Sequence, residues 1–362
     1  MAEARVIGVN VPGAAYEVLV RPGLLEDVGR LLRRLSSAKR AVVITDSQVG
    51  PLYAKKAATS LREEGFDPIV ATFPAGEDNK TIETVCAIYD QILPKAIDRA
   101  VPVVALGGGV AGDMAGFVAA TILRGVPFVQ VPTSLLAMVD ASVGGKTGVN
   151  HRVGKNLIGA FHQPLAVFID PQTLRTLPPR ELRGGLAECI KHDIIRDAEG
   201  FAQLETNIAR ALALDMEYLS ELVAHNVAIK ARVVEADPLE KGERAHLNFG
   251  HTFAHAIETL SHYAYSHGEA VALGMIAAAR TAVHMGMLDS ASAERIAALV
   301  RAAGLPAGGM SIPTDEVIGA LIYDKKVRGG RVRFVLPERL GRVVIRDDVP
   351  EDAVRAGVES IR

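Results

Sequence analysis

VPVVALGGGVAGDMAGFVAATILRG, residues 101–125, joins a purely apolar run to three glycines and then to a helical pattern. Val101–Leu106 is the most apolar strand candidate in the chain and runs straight into Gly107-Gly108-Gly109. Gly107 to Gly112 fits G-x-G-x-x-G ahead of the helical run Met114–Leu123, a setting in which backbone amides and a helix N-terminus hold a pyrophosphate. The ordinary dinucleotide fingerprint also needs an acidic residue after the next strand. Here that strand, Phe128–Val131, ends in Pro132. The ribose carboxylate then has to come from Asp46, at the end of the Ala41–Thr45 strand, or from Glu77 in GEDNK, since ligands lie beyond the carboxyl ends of such strands. If the glycine turn serves close packing alone, neither is needed.

Upstream of this turn, strands and helices alternate. Arg5–Val11 and Tyr16–Arg21 read as strands joined through Pro12-Gly13, Leu24–Leu35 as a helix, and Ala41–Thr45 as a strand. A helix near Tyr53–Glu64 follows, then the strand Pro68–Phe73 and a helix starting near Lys80. The alternation is that of a mostly parallel sheet covered by helices. After about residue 180 apolar residues recur at helical spacing through 182–195, 200–236, 251–262, 268–287 and 290–303. Arg331–Leu336 and Arg342–Ile345 alternate like a small hairpin before a last helix from about Pro350. The fold class expected is an α/β N-terminal Rossmann-like nucleotide-binding domain, residues 1–178, followed by an all-α metal- and substrate-binding domain, residues 179–362. A cleft between domains is the default place for a site.

Composition agrees. At about 150 residues per domain, 362 residues make roughly two domains, and 49% apolar with 23% charged residues is the balance of a folded globular chain. A net charge of −2 leaves no field to draw the chain to nucleic acid or an anionic membrane. The longest run without Asp, Glu, Lys or Arg is Gly125–Val139, and it contains two prolines; a spanning helix needs about 18 apolar residues. Glu3, Arg5, Gly8, Asn10, Pro12 and Gly13 break the N-terminus in a way unlike a signal peptide, and the chain reads as cytoplasmic. Cys86 and Cys189 are too few and too far apart for a disulfide framework and read as buried free thiols.

All ten histidines lie at or after His151, and five fall between His246 and His267. His251 and His255 in NFGHTFAHAIE are four apart and share a helical face, and His267 opens the next helical segment. With Glu188 in GGLAECIKHD they afford a His2Glu metal site with an open position, and spacing leaves open which two histidines bind. His246, His262 and His284 read as ordinary helix histidines. A third group is cationic: Arg124, Lys146, Lys155, Lys191, Lys230, Arg244, Lys325 and Lys326. Lys146 and Lys155 read as lying in glycine-bearing turns that approach an anion, with Asn150 and Asn156 close behind. Lys191, three residues after Glu188, reads either as a surface ion pair or as a cation beside the metal. A hydride acceptor, a Lewis acid and a polyanion pocket together suggest oxidation of a hydroxyl on a phosphorylated, carboxylated polyol. So many cations exceed what a simple diol dehydrogenase uses, whereas phosphate loss needs its leaving group neutralised.

GGGVAGDMAGFVAATILRG, VDASVGGKTGVNHRVGKNLIGAFHQP, GLAECIK and LNFGHTFAHAIE, in this order, resemble the 3-dehydroquinate synthase family of the shikimate pathway. The resemblance implies NAD, a divalent metal (zinc or cobalt), a homodimer, and a phosphorylated sugar acid, 3-deoxy-D-arabino-heptulosonate 7-phosphate, as substrate. It places the metal on Glu188, His251 and His267, which turns His255 into a proton-transfer and phosphate-site residue, with Glu240 a second acid/base and Lys146 and Lys191 beside them. Implied cofactor contacts are Asp46, Glu77, Lys80, Gly108, Gly109, Val110, Ala111, Gly112, Asp113, Thr133, Ser134, Lys146, Lys155, Thr173 and Thr176. Implied substrate contacts are Arg124, contributed across the dimer, with Asp140, Lys146, Asn156, Lys191, Lys230, Arg244, Asn248, His255 and Lys326. Pro238 and Leu239 interrupt the family's usual acidic run between Asp237 and Glu240. The competing readings are another sugar-phosphate cyclase, a metal-dependent polyol dehydrogenase, and a nucleotide-binding regulatory module with a dead site.

Overall fold

The computed structural model describes residues 3–240, 242–327 and 332–362, with side chains throughout except at 322–327. In chain order the first elements are β1 (Arg5–Val11), β2 (Ala14–Val20), α1 (Val28–Leu35), β3 (Arg40–Asp46), α2 (Gly50–Glu63), β4 (Asp67–Phe73) and α3 (Ile82–Ile92). There follow β5 (Val103–Gly107), α4 (Gly109–Thr121), β6 (Phe128–Pro132), β7 (Lys146–His151), β8 (Gly154–Phe161) and β9 (Ala166–Ile169). Then come α5 (Pro179–Arg196), α6 (Ala198–Leu212), α7 (Met216–Ala236), α8 (His251–Leu260), α9 (His267–His284), α10 (Ser290–Ala302) and α11 (Thr314–Val327). The chain ends with β10 (Phe334–Arg339), β11 (Arg342–Arg346) and α12 (Glu351–Glu359). Among the described residues no helix is long and apolar enough to cross a membrane.

The main sheet has the order β1-β2-β9-β6-β5-β3-β4, with β1 antiparallel to β2 and every other pairing parallel. Alternate side chains of a strand point to opposite faces, and this sheet sorts them accordingly. Val42, Ile44, Val103, Ala105 and Phe128 form one core with Val85, Ile88, Met114 and Val118 of α3 and α4. Ala41, Val43, Val104, Leu106, Val129 and Val131 form the other with Val28, Leu32, Ala57 and Leu61 of α1 and α2. Burial on both faces is why these strands read as unbroken apolar runs.

The chain folds into two compact units, one made of Met1–Leu177 with Met216–Pro238, the other of Pro178–Asp215 with Leu239–Arg362. The first break lies beside the boundary read from sequence, but α7 belongs with the first unit. It packs on β1, where the Glu235 carboxylate accepts the main-chain N–H of Asn10 at 2.6 Å and Arg5 pairs with Glu221 at 2.9 Å. The helical pattern read as one run over 200–236 is therefore two helices, α6 and α7. Leu214 between them has φ +57°, a left-handed break at a residue type that carries no turn signal. In the second unit β10 and β11 form the anticipated hairpin among helices. Nothing in the sequence reading anticipated α11 or β9. Cys189 is buried, but Cys86 is exposed on α3, against expectation.

Candidate functional site

In the first unit β5 ends at Gly107 and α4 begins at Gly109, five residues earlier than the helical pattern suggested. Gly107 has φ +155°, and a Cβ there would stand 2.5 Å from the Ala111 Cβ, so only glycine lets the helix start this close to the strand. Gly108 caps α4 with no side-chain hydrogen bond. The first amides of the helix, at Gly109, Val110 and Ala111, therefore lack a side-chain cap, whereas the Gly112 N–H donates to the Gly108 carbonyl at 3.0 Å; uncapped first-turn amides favour an anion. This fits the pyrophosphate of NAD.

Some of the other expected cofactor residues lie against that turn, where a Cβ on Gly107 would stand 3.4 Å from Asp46 Oδ2 and one on Gly108 3.5 Å from Ser134 Oγ. Asp46 closes β3 and accepts the main-chain N–H groups of Gln48 and Val49, both at 2.8 Å. The Thr133 N–H donates to the Gly107 carbonyl at 2.9 Å, and the Ser134 Oγ accepts from Ala137 N–H at 3.3 Å. Glu77 accepts from Asn150 at 2.8 Å, and the buried Lys80 ammonium lies 2.6 Å from Asp113 and also reaches Asn156 Oδ1. Burial pushes the Asp113 carboxyl upward against the pull of Lys80. Tyr53 bonds Thr176 Oγ1 at 2.6 Å and donates to the Thr173 carbonyl at 3.2 Å. The Thr173 hydroxyl itself donates to the Asp170 carbonyl at 2.8 Å.

Lys146 and Lys155 are placed otherwise than read. They lie on the strands of the antiparallel β7–β8 hairpin, just past Gly144-Gly145 and Gly154, and both are exposed. Asp140 sits in a π-turn, Ala137–Ala141, where its carboxylate pairs with Lys230 of α7 at 2.6 Å. Arg124 is exposed, with φ +67°.

In the second unit α5 carries Glu188, α8 opens with His251 and α9 opens with His267. Helices α5 and α9 touch backbone to backbone. A Cβ on Gly268 would fall 2.2 Å from the Gly184 Cα, and this close approach brings Glu188, one turn along, against His267. His267 Nε2 lies 3.6 Å and His251 Nε2 4.0 Å from Glu188 Oε1. The opposite nitrogens are tied elsewhere: His267 Nδ1 to Glu258 Oε1 at 3.4 Å, and His251 Nδ1 to the Phe249 carbonyl at 3.3 Å. With Nδ1 held there, each Nε2 is aimed at the Glu188 carboxylate, the orientation a metal-binding imidazole takes. The three donor atoms lie within 4.8 Å of one another, and two imidazoles with one carboxylate suit a divalent metal that keeps an open position.

Electrostatics separate the two histidines. Burial, with Lys191 beside it, lowers His251 to about 3. Burial also lowers His267, but Glu188 and Glu258 outweigh it and raise it to about 9. His255 shares the α8 face, its ring 5.7 Å from that of His251, yet it is exposed and stands outside the converging set. The surface reading of Lys191 is overturned: it and Glu188 form a fully buried ion pair on α5. Arg244 and Asn248 occupy the short helix Glu243–Asn248 ahead of Phe249, and Asn248 donates to Glu240 Oε1 at 3.3 Å. The side chains of Lys325 and Lys326 fall outside the described residues. Lys80, Lys191, Lys230 and Arg244 are each only 2–5% exposed, and buried cations on this scale are held by partners or by function, not by solvent.

Glu258 is the residue the sequence reading missed, although it lies seven residues after His251, two helical turns along the same face. Glu258→Ala is expected to weaken metal binding about 10–100-fold, measured by competition with a chelating dye. Glu258→Gln, whose amide oxygen still accepts the Nδ1 proton, should retain more of it. Unchanged affinity in Glu258→Ala would remove Glu258 from the site.

The family description "3-dehydroquinate synthase N-terminal" matches residues 70–184, and "3-dehydroquinate synthase C-terminal" matches residues 185–327. A 3-dehydroquinate synthase of Desulforamulus reducens is 49% identical over 352 residues, 97% of this chain and 98% of that one. Among solved structures, a 2-epi-5-epi-valiolone synthase from Streptomyces hygroscopicus subsp. jinggangensis with bound NAD+ and Zn2+ is similar at TM-score 0.88 and 31% identity, covering 99% of each chain. A 2-deoxy-scyllo-inosose synthase complexed with carbaglucose-6-phosphate, NAD+ and Co2+ is similar at TM-score 0.90 and 25% identity, covering 99% of this chain and 100% of that one.

Proposed function

The chain belongs to the 3-dehydroquinate synthase family, and from that premise we propose how its own residues carry the family's reaction. It converts 3-deoxy-D-arabino-heptulosonate 7-phosphate to 3-dehydroquinate and phosphate, as a carbon–oxygen lyase of the cytoplasm. The observation that carries the reading is the match to the family over residues 70–327 and at 49% identity over nearly the whole chain, with the convergence of His251 Nε2 and His267 Nε2 on the Glu188 carboxylate supporting its metal. A divalent metal held there supplies a Lewis acid for the hydroxyl being oxidised, and NAD held at the α4 turn supplies a hydride acceptor that is restored within the turnover.

The chain's own groups do the rest. Glu77 and Asp46 are the carboxylates for the ribose of the cofactor. Oxidation of the hydroxyl acidifies the neighbouring C–H, and phosphate leaves by β-elimination. Lys146, Lys191 and Arg124 neutralise the departing phosphate and lower that barrier, while Lys230, Arg244, Asn156 and Asn248 hold the carboxylate and hydroxyl groups. His255 and Glu240 move the protons. The freed enol pyranose then opens and closes by an intramolecular aldol. Phosphate release from the named heptulosonate phosphate, dependent on NAD, is the direct test; no release would end the assignment.

We place two copies in the active assembly, each lending Arg124 to its neighbour's substrate. Exposure of Arg124 supports this. Sedimentation should give twice 38.4 kDa. Arg124→Ala and His255→Ala, each inactive alone, should recover about a quarter of wild-type activity when mixed under exchange, because a hybrid dimer keeps one intact site. No recovery in verified hybrids would put Arg124 in its own subunit's site.

A further inference from the structure

Asn150, on β7, makes three hydrogen bonds to three residues of the assigned cofactor and substrate set. Its main-chain N–H donates to the Lys80 carbonyl at 2.8 Å. Its Oδ1 accepts the Asn156 N–H at 2.9 Å, and its Nδ2 donates to Glu77 Oε1 at 2.8 Å. The ring then closes on itself, because the Lys80 ammonium reaches Asn156 Oδ1 while pairing with Asp113 at 2.6 Å. Asn156 sits at φ +57°, a left-handed conformation that asparagine tolerates better than most residues and that the bond to its N–H helps to hold.

We propose that Asn150 is a positioning residue that locks Glu77, Lys80 and Asn156 into one arrangement for binding NAD. The inference rests on the assignment of Glu77 and Lys80 to the cofactor. The position needs a donor toward a carboxylate and an acceptor toward a main-chain amide from one short planar group, and among side chains of this size only asparagine offers both. Aspartate, the same shape, keeps the acceptor but sets a second carboxylate against Glu77. Alanine removes both bonds.

The test uses full-length wild type, Asn150→Ala, Asn150→Asp and Glu77→Ala, with NAD binding measured by calorimetry in the absence of substrate. The NAD dissociation constant should rise about tenfold in Asn150→Ala, the scale of a hydrogen bond to a charged group. It should rise further in Asn150→Asp, with KM for NAD increasing by a larger factor than kcat falls. Thermal melts report the folded fraction, and Asn150→Ser, which keeps a small polar group, replaces any variant that fails to fold. A reduced folded fraction whose remaining sites bind NAD as wild type does would make Asn150 merely structural and overturn the proposal. If Glu77→Ala weakens NAD and the Asn150 variants do not, the positioning role alone fails. If Glu77→Ala binds NAD normally, the cofactor assignment fails and this inference with it.

Discussion

Glu188→Gln, His251→Ala and His267→Ala are each expected to lose bound metal and about a thousandfold or more of activity, whereas His255→Ala keeps the metal and loses turnover. The first figure follows from the several kcal/mol that a Lewis acid contributes to charge stabilisation at the reacting oxygen, at one decade per about 1.4 kcal/mol. The second lies in the range of about 10²–10⁴ for removing a proton-transfer group. The distinction comes from geometry: His251 and His267 both turn Nε2 onto Glu188 with Nδ1 anchored elsewhere, and His255 does not join them. Elemental analysis of each purified variant gives the metal content independently of turnover. Chelation should abolish wild-type activity, and restoring the metal should bring it back. Adding metal to stripped protein should also raise its melting temperature, since a ligand of the native state alone stabilises it. An empty site in His255→Ala with a full one in His267→Ala would assign the metal to the His251–His255 pair instead.

The parts of this molecule legible in its sequence are those that local chemistry dictates. Strands β3 and β5 announce themselves because both faces are buried, and the glycine turn because a Cβ at Gly107 would strike Ala111. Conversely, the proposed metal ligands come from three helices, and no spacing rule predicts that α5 and α9 meet at Gly184 and Gly268. Residue spacing alone leaves His255 as plausible a ligand as His267; the family resemblance implies His267, and the structure brings His251 and His267 together on Glu188. Burial of the Glu188–Lys191 pair is equally hidden, since an i,i+3 acid–base pair looks the same on a solvated face. Placement of α7 with the first unit depends on tertiary packing against β1, and a chain read in order invites contiguous domains. Lys146 and Lys155 show a smaller version of this. Glycines beside a lysine mark a turn, but the turns adjoin a hairpin whose pairing is fixed by partners distant in sequence, Lys146 opposite Phe161.

NAD is expected to be required but not consumed. With NAD far below substrate, phosphate should be released to many equivalents per NAD, while absorbance from NADH stays near its starting level. The cations are the reason. Lys191 is nearly inaccessible to solvent and pairs with Glu188, and with Lys146 and Arg124 it makes up the set proposed to neutralise the departing phosphate. A simple oxidation of a hydroxyl expels no anion and has no use for that set. Expulsion of phosphate does, because negative charge builds on the leaving group in the transition state, and fixed cations stabilise it without reorganising. Elimination stands between an oxidation and a matching reduction, so the hydride that leaves the substrate returns to it and the cofactor ends as it began. A polyol dehydrogenase with the same glycine turn and the same His2Glu cluster would show the opposite stoichiometry. One NADH for every substrate lost, with no free phosphate, would install that dehydrogenase in place of the synthase. Arg244→Ala and Lys146→Ala sharpen the comparison, since both should slow phosphate release while any residual turnover still leaves NAD unconsumed.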